Sequence, residues 1–320
     1  MSNILITSAG QRVVLTEIFQ ASVKELGLDS KVFTTDMNPR YAPAGYVSDG
    51  CFPVCRCTDS NYIPLLLDIC VKNNVSLIVP TIDTELQILS SNKSLFQDYG
   101  IQIMVSDSHF IEMCRDKRKT ASYMETLGIN VPKQIDLDHP SFPMFAKPYD
   151  GSLSTNLHVI RSENDLTKEI LEDPKLIFME YIDKNDFAEY TIDMYYGRDN
   201  YVKAIVPRER IKVRAGEINK GITRKNYLVG YLKERMNYQE GVIGCICIQL
   251  FYRESDQSVY GIEINPRFGG GYPLSFHAHA NFPLSMLKEY MLGQDIPYSD
   301  DWLDKTLMLR YDRDIIIYEQ

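Results

Sequence analysis

Residues Gly261–Gly271, GIEINPRFGGG, set a carboxylate, an amide and a guanidinium at alternate positions and follow them with three glycines. In an extended chain side chains alternate between faces, so Glu263, Asn265 and Arg267 point one way, while Ile262 and Ile264 point the other way, into a core. Just upstream, GCICIQLFY (244–252) reads as another strand and RESDQS (253–258) as a turn. With the hairpin tip near Asp256, Gln249 stands opposite Glu263. Gln249, Glu263 and Asn265 then bring three oxygens to one face, with an arginine beside them. Such a set suits a hard cation such as Mg²⁺, which takes few protein oxygens and completes its octahedron with water and phosphate. The glycines let the chain turn tightly after the strand.

Toward the N-terminus, residues 1–107 alternate strands and helices. NILITSA, KVFTTD, SLIVPT and IQIMVSD are apolar strands; RVVLTEIFQASVKELG, closing at Gly27, and YIPLLLDICVKNN are helices. Apolar strands alternating with helices predict a parallel sheet, with its ligand crevice at the carboxyl ends of the strands. Ser8–Arg12, Asp36–Pro39 and Thr81–Glu85 stand at those ends. SAGQR lacks the G-x-G-x-x-G glycines of a dinucleotide fingerprint, although Asp36 sits where a ribose-binding acid would. Asp36 and Asp83 can equally serve as helix caps.

SDSHFIEMCRDKRKTASYMETLG (106–128) predicts one helix, capped by Ser106 or Ser108 and stopped by Gly128. Lys117 falls in its apolar stripe, where it either snorkels along a neighbour or extends to an anionic ligand. From Asp136 the pattern becomes short strands joined by turns, an antiparallel α+β region, with QIDLDHPSFP as the nearest thing to a hinge. Lys147 ends a strand before a loop of small and hydroxyl residues that can wrap phosphate oxygens. LIFMEYI, followed by Glu189, suits a purine packed on aliphatic side chains with a ribose beyond it. VPRERIKVRAGEINKG places Arg208, Arg210, Lys212 and Arg214 on one face of a strand, with Lys220 beyond, either as an anion-binding face or as a charged edge.

The composition narrows the classes. A formal net charge of -9 over 320 residues gives no global basic field for a nucleic-acid backbone. No run reaches the ~18 apolar residues of a membrane span, and MSNILITSAG has neither a charged nor a long apolar leader region, so a cytoplasmic protein is expected. The seven cysteines lack paired zinc spacing and read as reduced, largely buried thiols; His277 and His279 lack a third ligand.

With Lys117, Lys147, Glu180, Glu189 and the Gln249, Glu263, Asn265 and Arg267 set in this order, the chain resembles ATP-grasp enzymes. More narrowly, it is similar to the ATP-binding half of the carbamoyl phosphate synthetase large chain. EINPRFGGG is the most specific motif, VPRERIKVRAGE the next, and FAKPYDGSLS supports both. The resemblance spans almost the whole chain and implies an α/β plus α+β fold. A Rossmann-like, parallel-sheet pre-ATP-grasp domain would occupy 1–107, the two ATP-grasp subdomains 108–183 and 184–298, and an extension 299–320.

The resemblance also implies roles. Lys117 and Lys147 would contact ATP phosphates, and the loop with Asp150, Gly151, Ser152 and Ser154 would close over the nucleotide. The family loop often carries more glycine or a serine-lysine pair where Ser154-Thr155 stands here. The backbone of Glu180, Tyr181 and Ile182 would hold adenine, and Glu189 the ribose. Glu263 and Asn265 would ligate one or two Mg²⁺, Gln249 one ion, with Mn²⁺ as a substitute. Arg267 would stabilise the transferring phosphoryl group, Arg210 and Arg214 would hold the substrate carboxylate or acyl phosphate, and Lys220 would make a nearby loop contact. The implied activity is ATP-dependent joining of a small carboxylate to an amine or other nucleophile through an acyl phosphate, with no nucleic-acid or membrane partner and with homo-oligomers allowed. The alternatives are bicarbonate as the acid, or a nucleotide-binding regulatory module without turnover.

Overall fold

Three sheets organise the chain. The first is built from β1 (Asn3–Thr7), β2 (Val32–Asp36), β3 (Cys51–Pro53), β4 (Val75–Pro80) and β5 (Gln102–Ile103), all parallel, in the order β3-β2-β1-β4-β5. Ile4, Leu5 and Ile6 are fully buried because helices cover both faces. The order reverses at β1, whose neighbours β2 and β4 lead away on opposite sides. The loops after β1 and β4 therefore splay apart and leave a crevice. Helix α1 (Val13–Glu25) runs from the first of these loops, and Gly27, at φ +62°, ends it as expected. The computed structural model describes residues 2–151, 155–214 and 216–318.

The second sheet, in the order β7-β6-β8, comprises β6 (Met144–Pro148), β7 (His158–Ile160) and β8 (Leu176–Glu180). The third comprises β9 (Ala188–Tyr196), β10 (Val202–Arg214), β11 (Glu217–Thr223), β12 (Gly244–Arg253), β13 (Ser258–Asn265) and β14 (Leu307–Leu309), in the antiparallel order β13-β12-β9-β10-β11-β14. Phe19 of α1 meets Phe268 edge-on at 6.1 Å, and one apolar cluster runs from Ile4 and Ile6 through Phe19 to Tyr272, Phe282 and Trp302. Helix α1 thus joins the core of the first sheet to that of the third. No described helix is long and apolar enough to cross a membrane.

Four expectations need correction. The helix expected over 106–128 is two helices, Ser108–Arg115 and Lys117–Thr126, because the Asp116 side chain accepts from Arg118 N and starts the chain anew. The strand expected over IQIMVSD is only two residues long, and β3 adds a strand that the apolar pattern did not mark. Ile262 does not join Ile264 in the core. Gln249 pairs with Glu263 but Leu250 with Gly261, so Ile262 is the extra residue of a β-bulge and is half-buried. Finally, irregularities at Arg210–Val213 break the alternation of the basic strand.

Candidate active site

The hairpin β12–β13 sets the site's floor. Its register places Gln249 opposite Glu263, as the alternation predicts. Gln249 Nε2 donates to Glu263 Oε1 at 2.8 Å, and Asn265 Nδ2 donates to the same oxygen at 3.0 Å. Two lysines from other elements approach this hairpin, Lys117 at the Glu263 carboxylate and Lys147 at the neighbouring backbone. Lys117 Nζ lies 3.7 Å from Glu263 Oε2 and donates to Gly151 O; Lys147 Nζ, from the end of β6, reaches the Ile262 carbonyl at 3.5 Å. The Lys117 ammonium thus ends on protein oxygens, the Gly151 carbonyl and the Glu263 carboxylate. The bulge that removes Ile262 from the core leaves the carbonyl that Lys147 approaches. Gly261 permits the other approach: a Cβ there would fall 2.2 Å from Met124 Sδ, so its absence lets helix Lys117–Thr126 close on β13. Lys147 is buried, and desolvation lowers its pKa to about 8, with Glu263 opposing the shift and Lys117 adding to it.

Beyond β13, Arg267 Nη2 bonds Asp83 Oδ2 at 2.6 Å. Asp83 opens the helix after β4, so the first sheet supplies the counter-ion for the hairpin's arginine. Burial works against the charge of Arg267, but Asp83 outweighs it and its pKa is raised. Under the glycine run lies a second pair, Arg208 to Asp193 at 2.7 Å, both fully buried. Asp193 also accepts from Ser275 Oγ at 2.5 Å and Cys247 Sγ at 3.1 Å. A Cβ at Gly271 would fall 2.1 Å from Arg208 Nη1 and one at Gly270 2.1 Å from Glu217 Oε1. The glycines thus admit charged side chains against the backbone; none of the three needs a positive φ.

The remaining residues are placed as follows. Glu180 N–H is committed to Lys133 O, whereas Tyr181 and Ile182 make no backbone hydrogen bond among the described residues. Glu189 takes Lys184 Nζ at 2.8 Å and Arg210 Nε at 3.1 Å, beside an open groove of 1060 Å³ whose lining does not include Glu263. Asp150 pairs with Lys175, and Ser152 and Ser154 lie outside the described residues. The basic face holds only at its start: Arg208 reaches Asp193 and Arg210 reaches Glu189, alternate acids of β9, whereas the irregularities after Arg210 leave Lys212 exposed and turn Arg214 to an exposed pair with Asp312. Lys220 is exposed on β11. Sequence reasoning gave no role to Arg12, Glu217 or Arg310. It placed Asp83 at the crevice end of β4, with helix capping as the alternative, and did not pair it with Arg267.

Among the described residues, no three His, Cys, Asp or Glu side chains cluster as a metal site. The donor set at Glu263 is one carboxylate with two amides. That is too lean for a closed protein cage, and it fits a hard cation that brings phosphate oxygens with it.

Residues 4–104 match the family described as PylC-like, N-terminal domain, and residues 172–308 match ATP-grasp in the biosynthetic pathway with Ter operon. A curated relative, the 3-methyl-D-ornithine--L-lysine ligase of Methanosarcina acetivorans, is 28% identical over 167 residues, 52% of this chain and 42% of that protein. The match thus spans less than half of the curated relative's length. N5-carboxyaminoimidazole synthetase from Staphylococcus aureus, solved with ADP, superposes with a TM-score of 0.70 at 18% identity, covering 96% of this chain and 80% of that one. The L-amino acid ligase of Bacillus licheniformis gives a TM-score of 0.66 at 19% identity, covering 91% and 74%.

Proposed function

From its ATP-grasp fold and PylC-like N-terminal domain, we propose that the chain is an ATP- and Mg²⁺-dependent ligase that activates a small carboxylate and joins it to an amine. One observation carries the reading: Lys117 and Lys147, from two different elements, converge on the Ile262–Glu263 step of β13, Lys117 at the carboxylate and Lys147 at the Ile262 carbonyl, with the Asp83-anchored Arg267 two alternations on. Cations gathered at that density suit a polyphosphate. When bound, Mg²⁺ at Glu263, Asn265 and Gln249, as one or two ions and with Mn²⁺ as a substitute, would neutralise phosphate oxygens so that a carboxylate can attack phosphorus. Lys117 and Lys147 hold the phosphates. Arg267, fixed by Asp83, steadies the charge of the phosphoryl group in transfer. The backbone groups of Tyr181 and Ile182, which make no backbone hydrogen bond among the described residues, would read a purine edge, and Glu189 would meet the ribose once Lys184 gives way. The acid's oxygen takes the γ-phosphoryl group, ADP leaves, and the amine nitrogen then displaces phosphate from the acyl carbon with loss of its proton. Residues 1–107 present the acceptor to the body formed by 108–298. A cytoplasmic setting belongs to the same reading, and the curated relative, a 3-methyl-D-ornithine--L-lysine ligase, supports the joining of a carboxylate to an amine.

The test is ADP release from MgATP over pairs drawn from amino acids, simple amines and bicarbonate. Acid-dependent ADP with an amine-containing pair is expected. MgATP binding with no acid-dependent ADP from any pair would instead mark a nucleotide-binding module.

A further inference from the structure

A charged cluster unused by the phosphoryl chemistry lies on the other side of the glycine run. It draws on three separated parts of the chain: Arg12, from the loop after β1; Glu217, which opens β11; and Arg310, which follows β14. Glu217 Oε2 lies 2.7 Å from Arg310 Nη1, and its Oε1 lies 3.6 Å from Arg12 Nη1. Arg310 Nη2 also donates to the Gly270 carbonyl. The side chains of Arg12, Glu217 and Arg310 are 21%, 41% and 27% exposed, so each is partly sheltered and still reachable.

The pairing is incomplete. At 3.6 Å the Arg12–Glu217 contact is too long for a good hydrogen bond, and the Arg12 guanidinium makes none among the described residues. Desolvation lowers the pKa of Arg12; Glu217 opposes this, while Arg267 and Arg310 add to it. Arg12 and Arg310 share Glu217, two cations to one anion, while Arg267 is taken by Asp83 with Glu263 nearby, and Asp36 lies close to Gly10 on the first sheet's side. The cluster therefore presents one surplus guanidinium next to one exposed carboxylate. A bare amine meets two arginines there, and a dicarboxylate meets Glu217. A molecule carrying one charge of each sign matches both.

We propose that Arg12, Glu217 and Arg310 clamp the head group of an amino-acid substrate, the two guanidiniums taking its carboxylate and Glu217 its ammonium. This rests on the ligase reading and names the substrate class for it. Gly270 is part of the device, since any side chain there would occupy the place of the Glu217 carboxylate. The arginines supply planar forks that fit a carboxylate, which a lysine would not.

The experiment is calorimetric titration of the nucleotide-free protein with each of the common L-amino acids and their D-enantiomers. The best binder is then compared with its decarboxylated and N-acetylated analogues on the wild type. At least one amino acid binds, and each analogue loses about 10–100-fold in affinity, the range for a charge-assisted hydrogen-bonded pair. Arg12→Gln and Arg310→Gln weaken the best binder by a similar factor, and Arg12→Lys, which keeps the charge without the fork, falls between. Should a variant fail to fold, the analogue series on the wild type still decides. No binding by any amino acid, or equal binding of the analogues, overturns the clamp. MgATP titrated separately reports on the nucleotide side: its failure to bind the wild type overturns the ligase reading, whereas MgATP binding without amino-acid capture overturns the clamp alone.

Discussion

Replacing Lys147 by methionine should make the nucleotide-free protein more stable while destroying its use of ATP. Lys147 is 8% exposed, and burial brings its pKa from 10.5 to about 8, with Glu263 opposing the shift. At ~1.4 kcal/mol per tenfold change, that displacement is a penalty of roughly 3 kcal/mol on the charged form. The sign follows from proton counts. Between pH 8 and pH 10.5 the unfolded chain holds the lysine proton more tightly than the folded one, so stability rises with pH across that window. Below it, the penalty is present in full. Methionine keeps an unbranched apolar stem and carries no charge. Lys147→Met should therefore gain about 2–3 kcal/mol at pH 7, and the gain should shrink toward zero by about pH 10.5. Urea denaturation at both pH values, followed by the fluorescence of Trp302, the single tryptophan and a buried one, reads this directly. An equal difference at both pH values, or a less stable variant at pH 7, refutes the claim that this lysine is held charged against its surroundings.

Three further substitutions probe other parts of the argument. Glu263→Gln should lower acid-dependent ADP formation by at least ~100-fold with unchanged circular dichroism, and full activity at saturating Mg²⁺ would remove its role. Arg208→Met should cost about 3–5 kcal/mol because Asp193 is left buried with only neutral donors, and adding Asp193→Leu should recover most of that loss in the same denaturation assay. Gly261→Ala should cost about 1–3 kcal/mol by pushing Met124 away. It should also raise the KM for ATP, because the displaced helix carries Lys117; an unchanged KM would separate the helix from the site.

What could be read from the sequence was local. Alternation over GCICIQLFY and GIEIN carries the pairing of Gln249 with Glu263, because a strand repeats every two residues whatever surrounds it. It could not carry the bulge at Ile262, at the level of the Gly261–Met124 contact with a different helix. The same limit explains the basic strand. Spacing puts Arg208, Arg210 and Arg214 on one face, but their fates are decided by Asp193, Glu189 and Asp312, acids that lie elsewhere in the sequence. Asp116 is a capping residue type, but a single polar position inside an apolar stripe does not by itself mark a new helix start. Arg267 was placed by its motif, and its partner Asp83, 184 residues away, only by the fold.

That last contact bears on how such proteins can be recombined. Asp83 neutralises Arg267 across the join between the first sheet and the rest, and Phe19 packs on Phe268 at the same join. The leading segment is therefore no interchangeable cartridge. A chimera that imports a different leading segment without an acid at position 83 would leave the half-buried Arg267 guanidinium unpaired, a defect of about 1–3 kcal/mol by the usual cost of an unsatisfied polar group. Crossovers that retarget this scaffold should carry Asp83 and the Phe19 face of α1 with the body, and exchange only the loops around them.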